Sequence, residues 1–223
     1  MHKQRGFTLI EIAIVLVIIG LLLGGVLKGQ ELITGARVRN LISQQDGIKA
    51  AYFGFLDRYR ALPGDYTQAN TNINGVAAGA CGTHNGNGNG QIELAGNESV
   101  LAWEHLSKAG FINGSYTCAV AEGPTTTPTN PYGTRMQLIN DAIYDGAPVT
   151  RHNVKTGNQI PSDIMAEVDR KIDDGNAQGG TFRFSAYAGG GVAPAPATCY
   201  AAAAPFAWAA QTVDTNCGGA SLF

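Results

Sequence analysis

The sequence predicts an α+β protein: one long N-terminal helix packed on a small antiparallel-sheet head with long loops. Three observations carry this. An apolar run opens the chain at 7–27, an amphipathic pattern continues it to a Pro-Gly stop at 63–64, and short strand-like and turn-rich units fill the remainder. The length of 223 residues suits one globular domain plus an extension. Three segments are therefore expected: a leader at 1–6, a long helix at 7–62 whose portion 7–27 spans a membrane, and a globular head at 63–223.

The apolar run holds about 20 residues, which at about 1.5 Å rise per residue matches a hydrocarbon core of ~30 Å. Ahead of it stands a short polar stretch with Lys3 and Arg5, which directs the remainder of the chain outward. A secretory signal would have a shorter apolar region followed by a small-residue cleavage site, and neither is present. A plain membrane anchor gives no reason for Glu11, a carboxylate inside the run. An ionisable group there costs a few kcal/mol even on lenient insertion scales of about 2.5 kcal/mol or more, which marks the residue as functional.

Gly6-Phe7-Thr8-Leu9-Ile10-Glu11, following a short basic leader and opening an apolar helix, resembles the signature of type IV prepilins. The resemblance implies that a membrane prepilin peptidase cuts between Gly6 and Phe7 and that the new amine is methylated. It implies too that Glu11 meets the charged N-terminus, Phe7, of a neighbouring subunit as helices pack into a filament. A carboxylate and an ammonium in low dielectric attract strongly and relieve each other's desolvation. The implied partners are further copies of the chain, the peptidase, an inner-membrane assembly platform, and the membrane itself before assembly. The implied location is the inner membrane for the precursor, then an extracellular pilus or a periplasmic pseudopilus. Many members carry a proline near the middle of this helix. Here that neighbourhood reads Gly24-Gly25-Val26-Leu27-Lys28-Gly29, and glycines soften a helix by about 1 kcal/mol each or permit close packing.

Beyond Lys28 the pattern is amphipathic, with Leu41, Ile48, Tyr52, Phe55, Leu56 and Tyr59 at spacings of three, four and seven. The helix stops at Leu62-Pro63-Gly64, because proline disfavours helix for the residue before it. In the head, 99–109 reads as a helix with Val100, Trp103 and Leu106 on one face and Gly110 just past its end. Strands are expected at 116–121, within 134–144 and at 181–187. Ser162 is expected to cap a helix bearing Ile164, Val168 and Ile172 that ends at Gly175. The Gly/Ala/Pro-rich stretch 189–210 reads as extended loops.

Four cysteines, Cys81, Cys118, Cys199 and Cys217, all follow the apolar run, and an even count there fits disulfides in an oxidising compartment. Sequential pairing is the expectation, and spacing alone leaves the crossed arrangements open. Only 14% of residues are charged and the net charge is −2, so no basic footprint for nucleic acid is present.

Chemistry-bearing motifs are sparse. Asn85-Gly86-Asn87-Gly88-Asn89-Gly90-Gln91-Ile92 mimics calcium-loop spacing, but the closing position falls on Gly96 and asparagines bring no charge, so an Asn-Gly turn string is the better reading. Asp173-Asp174-Gly175 has carboxylates for a metal but reads first as a helix end and turn. Cys81-Gly82-Thr83-His84 is half of a zinc pattern with no second half. His2, His84, His105 and His152 fall in no metalloprotease spacing, and there is no nucleophile elbow or phosphate loop. No cofactor, resident metal or enzymatic role is expected. The functional expectation is a structural filament subunit. The alternative is a minor pilin or pseudopilin whose head binds a surface, DNA or a secreted substrate at a filament tip.

Overall fold

A computed structural model describes residues 9–223. Helix α1 runs Leu9–Tyr59, and the chain divides into two compact units, 1–37 and 38–223, with α1 contributing to both. Within the second unit the elements are α2 (Ala69–Asn72), a 3-10 turn (Ala95–Asn97), α3 (Glu98–Lys108), β1 (Gln137–Asp141), β2 (Arg151–Lys155), α4 (Ser162–Ile172), β3 (Phe182–Phe184), α5 (Pro196–Cys199) and β4 (Gly219–Leu222). The architecture is α+β, as the sequence predicts.

The four strands form one antiparallel sheet in the order β1-β2-β4-β3. Register pairs Gln137 with Lys155, Asn153 with Leu222 and Phe182 with Ser221. The C-terminal strand thus sits between β2 and β3, and the last residues of the chain are needed to join the two edges. Because strand side chains alternate between faces, Leu138, Val154, Phe182 and Phe184 enter the hydrophobic core from one side. Gln137, Asp141, Asn153 and Lys155 share the other side.

The C-terminal part of α1 forms the spine of the core. Val38 and Leu41 pack in a cluster with Ile164, Met165, Val168, Phe182, Phe184 and Trp208. Ile48, Ala51, Tyr52 and Phe55 enter a second cluster with Ile73, Ile92, Trp103, Leu106, Met136, Leu138 and Val154. The buried positions 38, 41, 45, 48, 52 and 55 alternate three and four residues apart, which is the stripe one helix face presents. The helix gives way at Arg60, which adopts a left-handed φ of 55°, just ahead of Pro63. Gly64 then turns with φ +89°, and a Cβ there would lie 2.3 Å from the Glu98 carbonyl oxygen, so only glycine fits.

Three local expectations require correction. The stretch 116–121 is a loop, not a strand. Its Cys118 amide donates to the Glu104 carboxylate, and the Cys118 sulfur is bonded to Cys81, so a side chain and a cross-link replace the ladder. Ser162 is the first residue of α4 and does not cap it. Its hydroxyl donates to the Ala209 carbonyl and accepts from the Asp214 amide, tying the loop at 209–214 to the helix. Within 189–210, Pro196 opens the single turn α5, as a proline at a first helical position does.

Candidate functional site

The N-terminal stretch of α1 is built almost wholly of branched apolar residues. Ile10, Ile12, Ile14, Val15, Leu16, Val17, Ile18, Ile19, Leu21 and Leu22 are all exposed, and they point around the whole circumference. A helix apolar on every side belongs in lipid or in a bundle of other helices. Among the described residues, α1 is the one helix long and apolar enough to cross a membrane, and none of its most apolar window is buried.

Glu11 lies in the first turn of α1 and is exposed. A carboxylate in a first turn faces the unsatisfied N–H groups and the positive end of the helix dipole. The predicted processing residues Gly6 and Phe7 lie outside the described residues.

Cys81 is bonded to Cys118 and Cys199 to Cys217. Cys81 therefore has no thiolate for a metal, which removes the zinc half-pattern with His84. His84 instead sits buried with Nδ1 2.7 Å from Glu104 Oε2. Next to it, His105 accepts a hydrogen bond from the Gly64 amide at Nδ1 and donates from Nε2 to the His84 carbonyl. Burial pushes the His105 pKa down to about 4, so the ring is neutral and its one proton is on Nε2.

The Asn-Gly string is organised in the opposite sense to a cation loop. The amides of Gly88 and Asn89 donate to Asp65 Oδ1, and the amide of Gly90 donates to Oδ2. The amides of Asn87 and Glu93 donate to the two oxygens of Glu98. The loop thus encloses two carboxylates supplied by the head itself, Asp65 in a nest of three successive backbone N–H groups and Glu98 between two amides six residues apart. Burial of Glu98 raises its pKa, opposed by these two amides. Sequence reading missed both acids, because the donors are main-chain groups and Asp65 lies more than twenty residues from them in the chain.

Asp169, Asp173 and Asp174 bring carboxylate oxygens within 4.8 Å of one another. Their oxygens serve the surrounding chain. Asp169 Oδ2 accepts from Trp208 Nε1 at 2.7 Å, Asp173 Oδ2 accepts from the Thr181 and Phe182 amides, and Asp174 Oδ1 accepts from the Asn176 amide. Burial, and then the two neighbouring carboxylates, push the Asp169 pKa up to about 6, against the Trp208 and Gly175 donors.

Residues 1–27 match the prokaryotic N-terminal methylation motif, which is the signature shared by type IV pilins and pseudopilins. Neither the curated proteins nor the solved structures yield a match. The apolar helix and the motif together fit a membrane-anchored, pilin-like precursor, and the signature points to a structural protein.

Proposed function

We propose that this chain is a structural subunit of a type IV pilus-like filament, cut between Gly6 and Phe7, methylated on the new amine, and assembled through its N-terminal helix. The observation that carries this reading is the coincidence of the methylation motif at 1–27 with a helix that is apolar on all sides and holds one carboxylate, Glu11, in its first turn. Before assembly, lipid covers that surface. In the filament the same surface is covered by the helices of neighbouring copies, and Glu11 accepts the Phe7 ammonium of one of them. The peptidase and an inner-membrane assembly platform act on the chain between these two states.

The test is Glu11→Ala. Removing the carboxylate lowers the cost of membrane insertion, so the precursor accumulates normally while filament assembly falls. Loss of one member of a buried ion pair costs about 3 to 5 kcal/mol because the other charge is left unmatched, and in a repeating assembly this recurs at every subunit. The measurement is the ratio of sheared filament to membrane-pool protein, with N-terminal sequencing of the assembled fraction. A first residue of Phe7 and a collapse of the ratio in the variant are expected. Intact Met1 in assembled material, or a normal ratio, would remove the proposal.

A further inference from the structure

We propose that a cavity beside Arg135 in the head binds a small monocarboxylate, whose two oxygens the Arg135 guanidinium holds through its paired N–H donors. The cavity measures about 270 Å³, and its walls include Thr129, Arg135, Gln159 and the turn Gly189-Gly190-Gly191. Arg135 carries the only charge among the described lining residues.

The backbone at Arg135 is fixed from two sides. Its amide donates to the Gly189 carbonyl at 3.0 Å, and the next amide, that of Met136, donates to the Pro128 carbonyl at 2.9 Å. The glycine wall is fixed too. The Gly191 amide donates to the Ala188 carbonyl at 2.7 Å, closing a turn whose central residues Gly189 and Gly190 have φ of 54° and 89°. Asn158 Nδ2 donates to the Val192 carbonyl at 2.8 Å and ties the end of that turn to the head. A Cβ at position 190 would stand 2.1 Å from Arg135 Nη1, so the turn comes this close to the guanidinium only as glycine.

What the guanidinium lacks is an acceptor. It offers five N–H donors in a rigid fork, and none of them meets an acceptor among the described residues. Glu122 does not fill the role. Its Oε1 accepts from Gln137 Nε2 at 3.1 Å and its Oε2 from the Tyr187 hydroxyl, and it forms no ion pair with Arg135. The side chain is half-buried, so water reaches it from the cavity side alone.

Charge and shape select the ligand. A planar fork matches the two oxygens of a carboxylate, and one guanidinium balances one negative charge. A phosphate dianion would leave charge unmatched in a cavity that has no second cation. Further donors line the same cavity: the side chains of Thr129 and Gln159 and the amides of Gly189 and Gly190 have no acceptor among the described residues. They suit hydroxyl oxygens on the ligand, which makes a sugar acid the fitting class. The volume lies just below the range of about 300 Å³ and more that drug-sized ligands need, so it admits one small acid.

The full chain in detergent is titrated with sodium glucuronate at constant ionic strength, with glucose and sodium phosphate as separate arms, and binding is read by isothermal titration calorimetry. Saturable binding of one glucuronate per chain is expected, with none of glucose. Arg135→Gln should weaken it by about tenfold or more, as loss of hydrogen bonds to a charged group does. Gly190→Ala, which drives a Cβ into the guanidinium, should do the same. Thermal unfolding followed by the fluorescence of Trp103 and Trp208 identifies the variants whose heads are folded. Absence of saturable glucuronate binding to the wild-type chain, or equal affinity in a folded Arg135→Gln head, would overturn the proposal. Phosphate binding more tightly than glucuronate would overturn the assignment to a carboxylate. The readout comes from single heads in detergent, so its failure leaves the filament reading standing, and failure of that reading leaves this measurement unchanged.

Discussion

Between Leu9 and Arg37 no side chain of α1 is buried, whereas Val38, Leu41, Gln45, Ile48, Ala51, Tyr52 and Phe55 are all buried within the next eighteen positions. Both stretches are helical and both are rich in apolar residues, yet only the second has an apolar face buried in the core of the head. The difference is one of pattern. In the second stretch, polar residues occupy the positions between the buried stripe, so one face is committed to the head and the other to water. In the first stretch, as far as Leu27, apolar residues occupy every direction, so no single partner face could cover them. Apolar surface of this extent on a lone soluble molecule would drive association, and under the proposed function it is the part that lipid or other copies complete.

The comparison is broken most severely from the head side. Phe55 is fully buried among the rings of Tyr59, Tyr66, His105 and Phe111. Phe55→Ala should cost about 3 to 5 kcal/mol of head stability while membrane insertion, read by carbonate extraction, stays unchanged. Replacing Cys81 and Cys118 by serine should cost about 3 to 4 kcal/mol on the chain-entropy account of a loop this long. Thermal unfolding and protease resistance of the head report it, and again the membrane-bound fraction should not move.

Two buried groups give the head a pH dependence of opposing parts. His105 has its pKa lowered to about 4, so the unfolded chain takes up a proton before the folded one, and stability is lost as pH falls from the ordinary histidine range toward 4. Asp169 has its pKa raised from 3.8 to about 6, so here the folded chain holds the proton longer, and stability is lost as pH rises through the same window. Asp169→Asn, which retains an oxygen for Trp208, should remove the second part and steepen the acid loss by roughly 1 to 3 kcal/mol across that window. Denaturant unfolding at a series of pH values checks this, and an unchanged slope would show that Asp169 does not titrate there. The smallest effect belongs to Leu16→Ala. Leu16 is exposed, so the melting temperature of the head should shift by no more than an exposed substitution allows, within about 0.5 kcal/mol.

The parts of the fold legible in the sequence were those whose information is local. Helix α1 and its stop, helix α3 with Val100, Trp103 and Leu106, helix α4 with Ile164 and Val168, and the alternating Phe182 and Phe184 all follow from spacing alone. Strands β2 and β4 were not legible. Arg151–Lys155 carries polar residues on one face and a single core valine on the other, and Gly219–Leu222 is short and built of small residues. Both are strands because of what they pair with. The methylation motif is contiguous and could be read directly, as could Glu11 as an anomaly within an apolar run. The carboxylate nests could not, since their donors are main-chain amides with no signature in composition.

Those nests bear on how the protein ages. An asparagine followed by glycine deamidates when the glycine nitrogen closes a five-membered ring on the asparagine side chain, and the string at 85–90 holds three such pairs. In the folded head each of the three nitrogens is already engaged: Gly86 with the Tyr66 carbonyl, Gly88 with the Asp65 carbonyl and carboxylate, and Gly90 with the Asp65 carboxylate. Ring closure requires breaking these bonds and rotating the peptide, so the fold itself slows the chemical clock. Asp65 thus helps to set the shelf life of the head.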